Sequence, residues 1–66
     1  MAIMKVIEIL SDSSKSWEDA TASGVKKAAK SVKNIKSAYV QSQIVTIKDG
    51  AVDKYRVNLK VTFEVK

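Results

Sequence analysis

From Ile35 to Val65 the chain reads as one very long β-hairpin that turns at Asp49-Gly50. In its second arm Tyr55, Val57, Leu59, Val61, Phe63 and Val65 alternate without a break with Arg56, Asn58, Lys60, Thr62 and Glu64, the period-2 signature of a strand with one buried face. The Asp-Gly pair suits a tight turn, because glycine takes positive φ without penalty and aspartate tolerates it. An arm of this length spans about 40 Å at roughly 3.3 Å per residue. The one helix that the remaining sequence predicts has about 16 residues and covers roughly 24 Å. A single helix cannot shelter such a hairpin, so part of its apolar stripe is expected to meet another copy of the chain.

Ahead of the hairpin, Ile3 to Leu10 is dense in β-branched residues and predicts a strand of about eight residues. Ile3, Lys5, Ile7 and Ile9 fall on one side of it and Met4, Val6, Glu8 and Leu10 on the other. The polar run Ser11-Asp12-Ser13-Ser14-Lys15 predicts a turn. Ser16-Trp17-Glu18-Asp19 then has the form of a helix start, with Ser16 as N-cap and two acids in the first turn to meet the positive end of the helix dipole. Trp17, Ala20, Thr21, Gly24, Val25, Ala28, Ala29 and Val32 recur at spacings of three and four, which gives one buried face of mostly small residues. Gly24 on that face costs about 1 kcal/mol of helix propensity against Ala, a cost that close approach of the helix to a sheet would offset. Asn34 is a suitable helix stop. After it the period changes to two, with Ala38, Val40, Ser42, Ile44 and Thr46 predicted on one face and Tyr39, Gln41, Gln43, Val45 and Ile47 on the other. The order of elements is therefore β-α-β-β, in one unit spanning residues 1–66.

A chain of 66 residues buries only about 60% of its unfolded surface when it folds alone. It contains neither Cys nor His, which removes disulfides and the usual zinc ligands and leaves oligomerisation to reinforce so small a core. The same absences exclude Ser/His/Asp and Cys/His catalysis, and with only two glycines there is no phosphate-cradling loop. No enzymatic constellation is present. The net charge of +5 is compatible with anionic partners, and Lys26, Lys30 and Lys33 share a face with Lys27 and Lys36 nearby. No aromatic residue is interleaved with them, however, so direct nucleic-acid binding is not expected. No apolar run is long enough to span a bilayer, and the first residues lead straight into a strand pattern instead of a signal sequence, so the expected location is the cytoplasm.

Candidate binding residues cluster on the hairpin. Tyr39, with Ser37, Gln41 and Gln43 around it, offers the mixture of one aromatic ring with hydroxyls and amides that a small-molecule cleft uses. Arg56 is the only arginine beside eleven lysines, and its planar fork suits carboxylate, phosphate or stacking contacts. Trp17, at the first turn of the helix, is expected to anchor the core rather than to stack on a ligand. Asp12 with Glu18 or Asp19 offers oxygen ligands to a hard cation, but the regular oxygen spacing of a calcium loop is missing, so no metal site is expected within one chain.

The stretches KVIEIL at Lys5–Leu10, SWEDA at Ser16–Ala20 and DGAVDKYRVNLKVTFEV at Asp49–Val65 together resemble the dodecin family over nearly the whole chain. The resemblance implies an α+β fold in which a three-stranded antiparallel sheet wraps around one helix, and a homododecamer that forms a hollow sphere. Many dodecins bind flavins, stacking them on a Trp early in the second strand and hydrogen-bonding them with a Gln in the third. Those two positions fall here on Ser37, which has no π surface, and on Arg56, which only donates where an amide also accepts. The chain is thus similar to dodecins that lack the flavin Trp, some of which are associated with calcium. The function implied is sequestration or storage of a small ligand or ion at intersubunit surfaces, with Ser37, Tyr39, Gln41 and Arg56 as candidate ligand contacts. The alternative is flavin storage in a non-standard pocket, with Tyr39 stacking on the ring.

Overall fold

The computed structural model describes residues 2–66, folded as β1 (Ile3–Ser13), α1 (Trp17–Ala28), β2 (Ile35–Lys48) and β3 (Ala51–Val65). The three strands form one antiparallel sheet in the order β1-β3-β2. The strand with unbroken alternation is therefore the central one, hydrogen-bonded on both edges. Its inward residues Val57, Leu59 and Val61 are fully buried together with Ala20 of the helix, and Ile7, Ile9, Trp17, Val25, Ile35 and Ala38 pack around them. Asp49 (φ 53°) and Gly50 (φ 78°) close the hairpin, both in the left-handed region that a two-residue turn of this hand requires.

The helix begins as its sequence predicts. The Ser16 side chain accepts from the Asp19 backbone N–H at 2.9 Å, satisfying one of the unpaired donors of the first turn. Asp19 in turn accepts a 2.6 Å bond from the Ser13 hydroxyl, which fastens the cap to the end of β1. Trp17 is half-buried, meets the Tyr55 ring edge-on at 5.4 Å and donates its indole N–H to the Ile44 carbonyl at 3.1 Å. It joins the helix to both arms of the hairpin, the anchoring role expected of it. Gly24 lies against β1, where an added Cβ would stand 2.9 Å from the Ser11 Cβ. The missing side chain is what lets helix and strand come this close.

Two boundaries differ from the sequence reading. β1 runs on through Ser11, Asp12 and Ser13, read above as turn residues, because they pair in register with Val57, Arg56 and Tyr55 of the central strand. Tertiary pairing outweighs the turn preference of polar residues at a sheet edge. The helix has 12 residues instead of about 16. After Ala28 the chain tightens into turns, with Lys30 and Ser31 donating to the carbonyls of Lys27 and Ala28. Asn34 then takes φ 63°, and its carbonyl accepts from Glu64 N–H at 2.9 Å, which delivers the chain into β2.

The period-2 face assignment of β2 also fails, for a definite reason. The pairing with β3 shifts between Ile35 and Ser37, between Val40 and Ser42, and between Thr46 and Ile47. Lys36 and Gln41 are extra residues on β2, and Asp53 is an extra residue on β3. Each bulge reverses the phase of the side chains that follow. Ala38 and Val40 thus face the helix opposite Val61 and Leu59, and so do Gln43 and Val45 opposite Val57 and Tyr55. Tyr39, Ser42 and Ile44 fall on the other face.

The molecule measures 50 × 19 × 14 Å, and a 12-residue helix covers only about 18 Å of that length. Ile3, Met4, Val6, Leu10, Tyr39, Val40, Ile44, Ile47, Val52 and Val65 are left exposed, as the mismatch of helix and hairpin predicts.

Candidate ligand site on the outer sheet face

Residues opposite one another in an antiparallel sheet point to the same side, so the strand registers define the face turned away from the helix. Along β3 it carries Lys54, Arg56, Asn58, Lys60, Thr62 and Glu64. Met4, Val6, Glu8, Leu10 and Asp12 flank this column on β1, and Ser37, Tyr39, Ser42, Ile44 and Thr46 flank it on β2. The centre is polar and charged. The margins hold the exposed apolar groups Met4, Val6, Leu10, Tyr39 and Ile44.

Of the sequence-predicted contacts, Ser37 pairs with Thr62, Tyr39 with Lys60, Gln41 sits in the second bulge and Arg56 pairs with Ile44 on one side and Asp12 on the other. Ser37, Tyr39 and Arg56 share the outer face but do not converge. Thr62 and Arg56 are six positions apart on β3, so Ser37 and Arg56 lie about 20 Å from one another along the strand. Ser37, Tyr39 and Gln41 do form one neighbourhood, bracketed by two bulges, and bulges commonly re-aim side chains beside functional sites. Tyr39 is 67% exposed there.

Arg56 has a partner that the sequence reading missed. Its Nε and Nη2 donate to the two carboxylate oxygens of Asp12 at 2.7 and 3.0 Å, a fork-to-fork pair with strong directional preference. The hydrogen bond and charge of Arg56 hold the Asp12 carboxyl below its ordinary pKa, and Asp12 raises that of the guanidinium. The signal lay in the register, since a β1 extended to Ser13 puts Asp12 directly across from Arg56. Asp12 is consequently not free to join Glu18 or Asp19, and Asp19 is held by Ser13. Among the described residues no three acidic side chains gather in a way that could hold a metal ion. Between Arg56 and Lys60, the Asn58 Oδ1 is buried without a hydrogen-bond partner, an unmet acceptor at the centre of this face. No helix of the described residues is long and apolar enough to cross a membrane.

Comparison with known proteins places these features. The dodecin family model matches residues 3–66. The calcium dodecin of Mycobacterium tuberculosis is 36% identical over 66 residues, covering all of this chain and 93% of that protein. Its crystal structure, described as that of a calcium-chelating immunodominant antigen with a novel calcium-binding site, superposes with a TM-score of 0.85 at 37% identity, over 97% of this chain and 91% of that one. The dodecin of Streptomyces davaonensis has the same fold, with a TM-score of 0.93 at 22% identity over 98% of this chain and 96% of its own. With the β-α-β-β order, the central third strand and a family match over all but its first two residues, the chain belongs to the dodecin family.

Proposed function

We propose that this dodecin works without catalysis, as a homododecameric shell in the cytoplasm that sequesters a small ligand or ion where copies meet. The observation that carries the reading is the outer sheet face, a polar column along β3 between apolar margins. Exposed apolar margins of this kind suit a protein–protein contact, and the polar centre is what remains to line a cleft once the margins are covered. The candidate ligand contacts Ser37, Tyr39, Gln41 and Arg56 all belong to β2 and β3. Because Ser37 and Arg56 are far apart within one chain, a ligand touching both joins residues of different copies. Native mass spectrometry of protein from its own host reads stoichiometry and retained ligand together. A dodecamer with a bound small molecule or ion is expected, and a folded monomer at micromolar concentration overturns the assembly.

The mycobacterial relative makes calcium one candidate cargo. Calcium takes six to eight oxygen ligands, carboxylates among them, and the described residues of one chain gather no such acidic cluster, so a calcium site would draw its acids from several copies. Calcium uptake measured by calorimetry is then expected from the assembled protein and not from a variant that stays monomeric.

Tyr39 supports a second reading, because its exposed ring beside the bulge at Gln41 is available to stack on a planar ligand such as a flavin. Riboflavin and FMN fluorescence should be quenched on titration in that case. Absence of quenching at tens of micromolar protein removes the flavin reading and leaves the assembly untouched.

A further inference from the structure

A cleft of about 390 Å³ opens between the edge strand β1 and the helix, away from the β2 margin where the candidate ligand contacts Ser37, Tyr39 and Gln41 stand. Helix and strand touch where Gly24 meets Ser11. One helical turn on, Ala28 is too short to fill the space beside Ile9, and the edge of β1 at Leu10, whose side chain turns to the outer face, forms the rim. Volumes of this order hold small organic ligands.

The polar groups of the cleft divide into spent and unspent. The Ser11 hydroxyl donates to the Ala20 carbonyl at 2.7 Å. Asp12 gives both oxygens to Arg56, so its negative charge is matched and repels an anion little. Ser23 and Lys27 remain. They stand four residues apart on one side of α1, the spacing that puts helical side chains one above the other. Both are exposed, and among the described residues neither side chain has a hydrogen-bond or ion-pair partner. A hydroxyl and an ammonium that both donate, set above an apolar floor, complement a carboxylate carried on an apolar body.

We propose that this cleft binds small amphipathic monocarboxylates, with the acid group between Ser23 and Lys27 and the apolar part against Ile9, Gly24 and Ala28. The acid-binding pair lies within one chain and away from Ser37, Tyr39 and Gln41, and the cleft adjoins the intersubunit face only at its rim, through Leu10 and through Asp12, the partner of Arg56. Calorimetric titration of the assembled protein with octanoate, acetate and octanol tests it. Octanoate should bind, while acetate, which lacks the body, and octanol, which lacks the charge, should each bind at least about tenfold more weakly. Lys27→Gln and Ser23→Ala, both at exposed helix positions that leave the fold intact, should weaken octanoate, the former by about tenfold. Ala28→Leu should fill the cleft and abolish binding, with light scattering to verify that the protein is still assembled. Lys48→Gln, which removes a lysine from the end of the opposite edge strand β2, should leave octanoate binding unchanged. No octanoate binding at millimolar concentration, equal binding of octanoate and octanol, or an unaltered affinity in Lys27→Gln would overturn the assignment. If the protein were monomeric, the assembly reading would fail while this titration kept its meaning.

Discussion

Because Asp12 holds Arg56 through two hydrogen bonds, the carboxylate is easier to ionise in the folded chain than in the unfolded one. A group with a lowered folded pKa contributes stability above its unfolded value and loses it as the pH falls through the folded one. The window therefore lies below about pH 4. Asp12→Asn should flatten the acid limb of a denaturation series run from pH 7 to pH 2, with only a small change at neutral pH, since both partners are exposed. An acid limb identical to that of the parent would mean that the pair contributes nothing in solution. Gly24 gives a second expectation. Alanine gains about 1 kcal/mol of helix propensity there, but its Cβ would meet the Ser11 Cβ at 2.9 Å, and overpacking costs about 1–3 kcal/mol. Gly24→Ala should leave stability unimproved or lower it by up to about 2 kcal/mol in urea titration. A gain of about 1 kcal/mol would show that helix and strand separate freely. The glycine's role was legible from its place on the buried face, whereas Asp12 was not, because a polar run reads locally as a turn and only the pairing with β3 reveals it as strand.

At the level of elements, β3 was legible from Tyr55 to Val65, because a central strand with one buried face imposes alternation there, while its bulge at Asp53 was not. β2 was not, because an edge strand tolerates bulges and each extra residue reverses the pattern without leaving a mark in composition. Residues 44 and 45 make the difference measurable. Ile44 lies on the outer face opposite Arg56, and Val45 on the helix side opposite Tyr55. A carboxylate desolvated without a partner is strongly unfavourable, so Val45→Asp should cost about 2 kcal/mol or more of folding stability by circular dichroism. Ile44→Asp should keep its secondary structure and show its effect in the assembled mass. The reverse order would place the bulge somewhere other than Gln41. The candidate site suffered the same blindness: Ser37, Tyr39 and Gln41 were legible as a polar neighbourhood, but the phase shifts that put Tyr39 and Ile44 on one face were not.

For the whole molecule, the length of the hairpin against the reach of the helix was readable from residue counts alone, and the exposed margins follow from it. Val61 is fully buried at the centre of the core, so Val61→Asp should abolish folding and assembly together, seen as loss of both secondary structure and assembled mass. If copies complete one another's apolar cover, Tm should rise with protein concentration; a Tm constant over a hundredfold dilution argues against it. The strand order carries a consequence for biosynthesis. β1 and β2 never pair with each other and both depend on β3, which translation delivers after everything else in the fold. A nascent chain stalled before Ala51 holds two strands with no mate, open to proteases and chaperones, and the sheet forms only once β3 has been made.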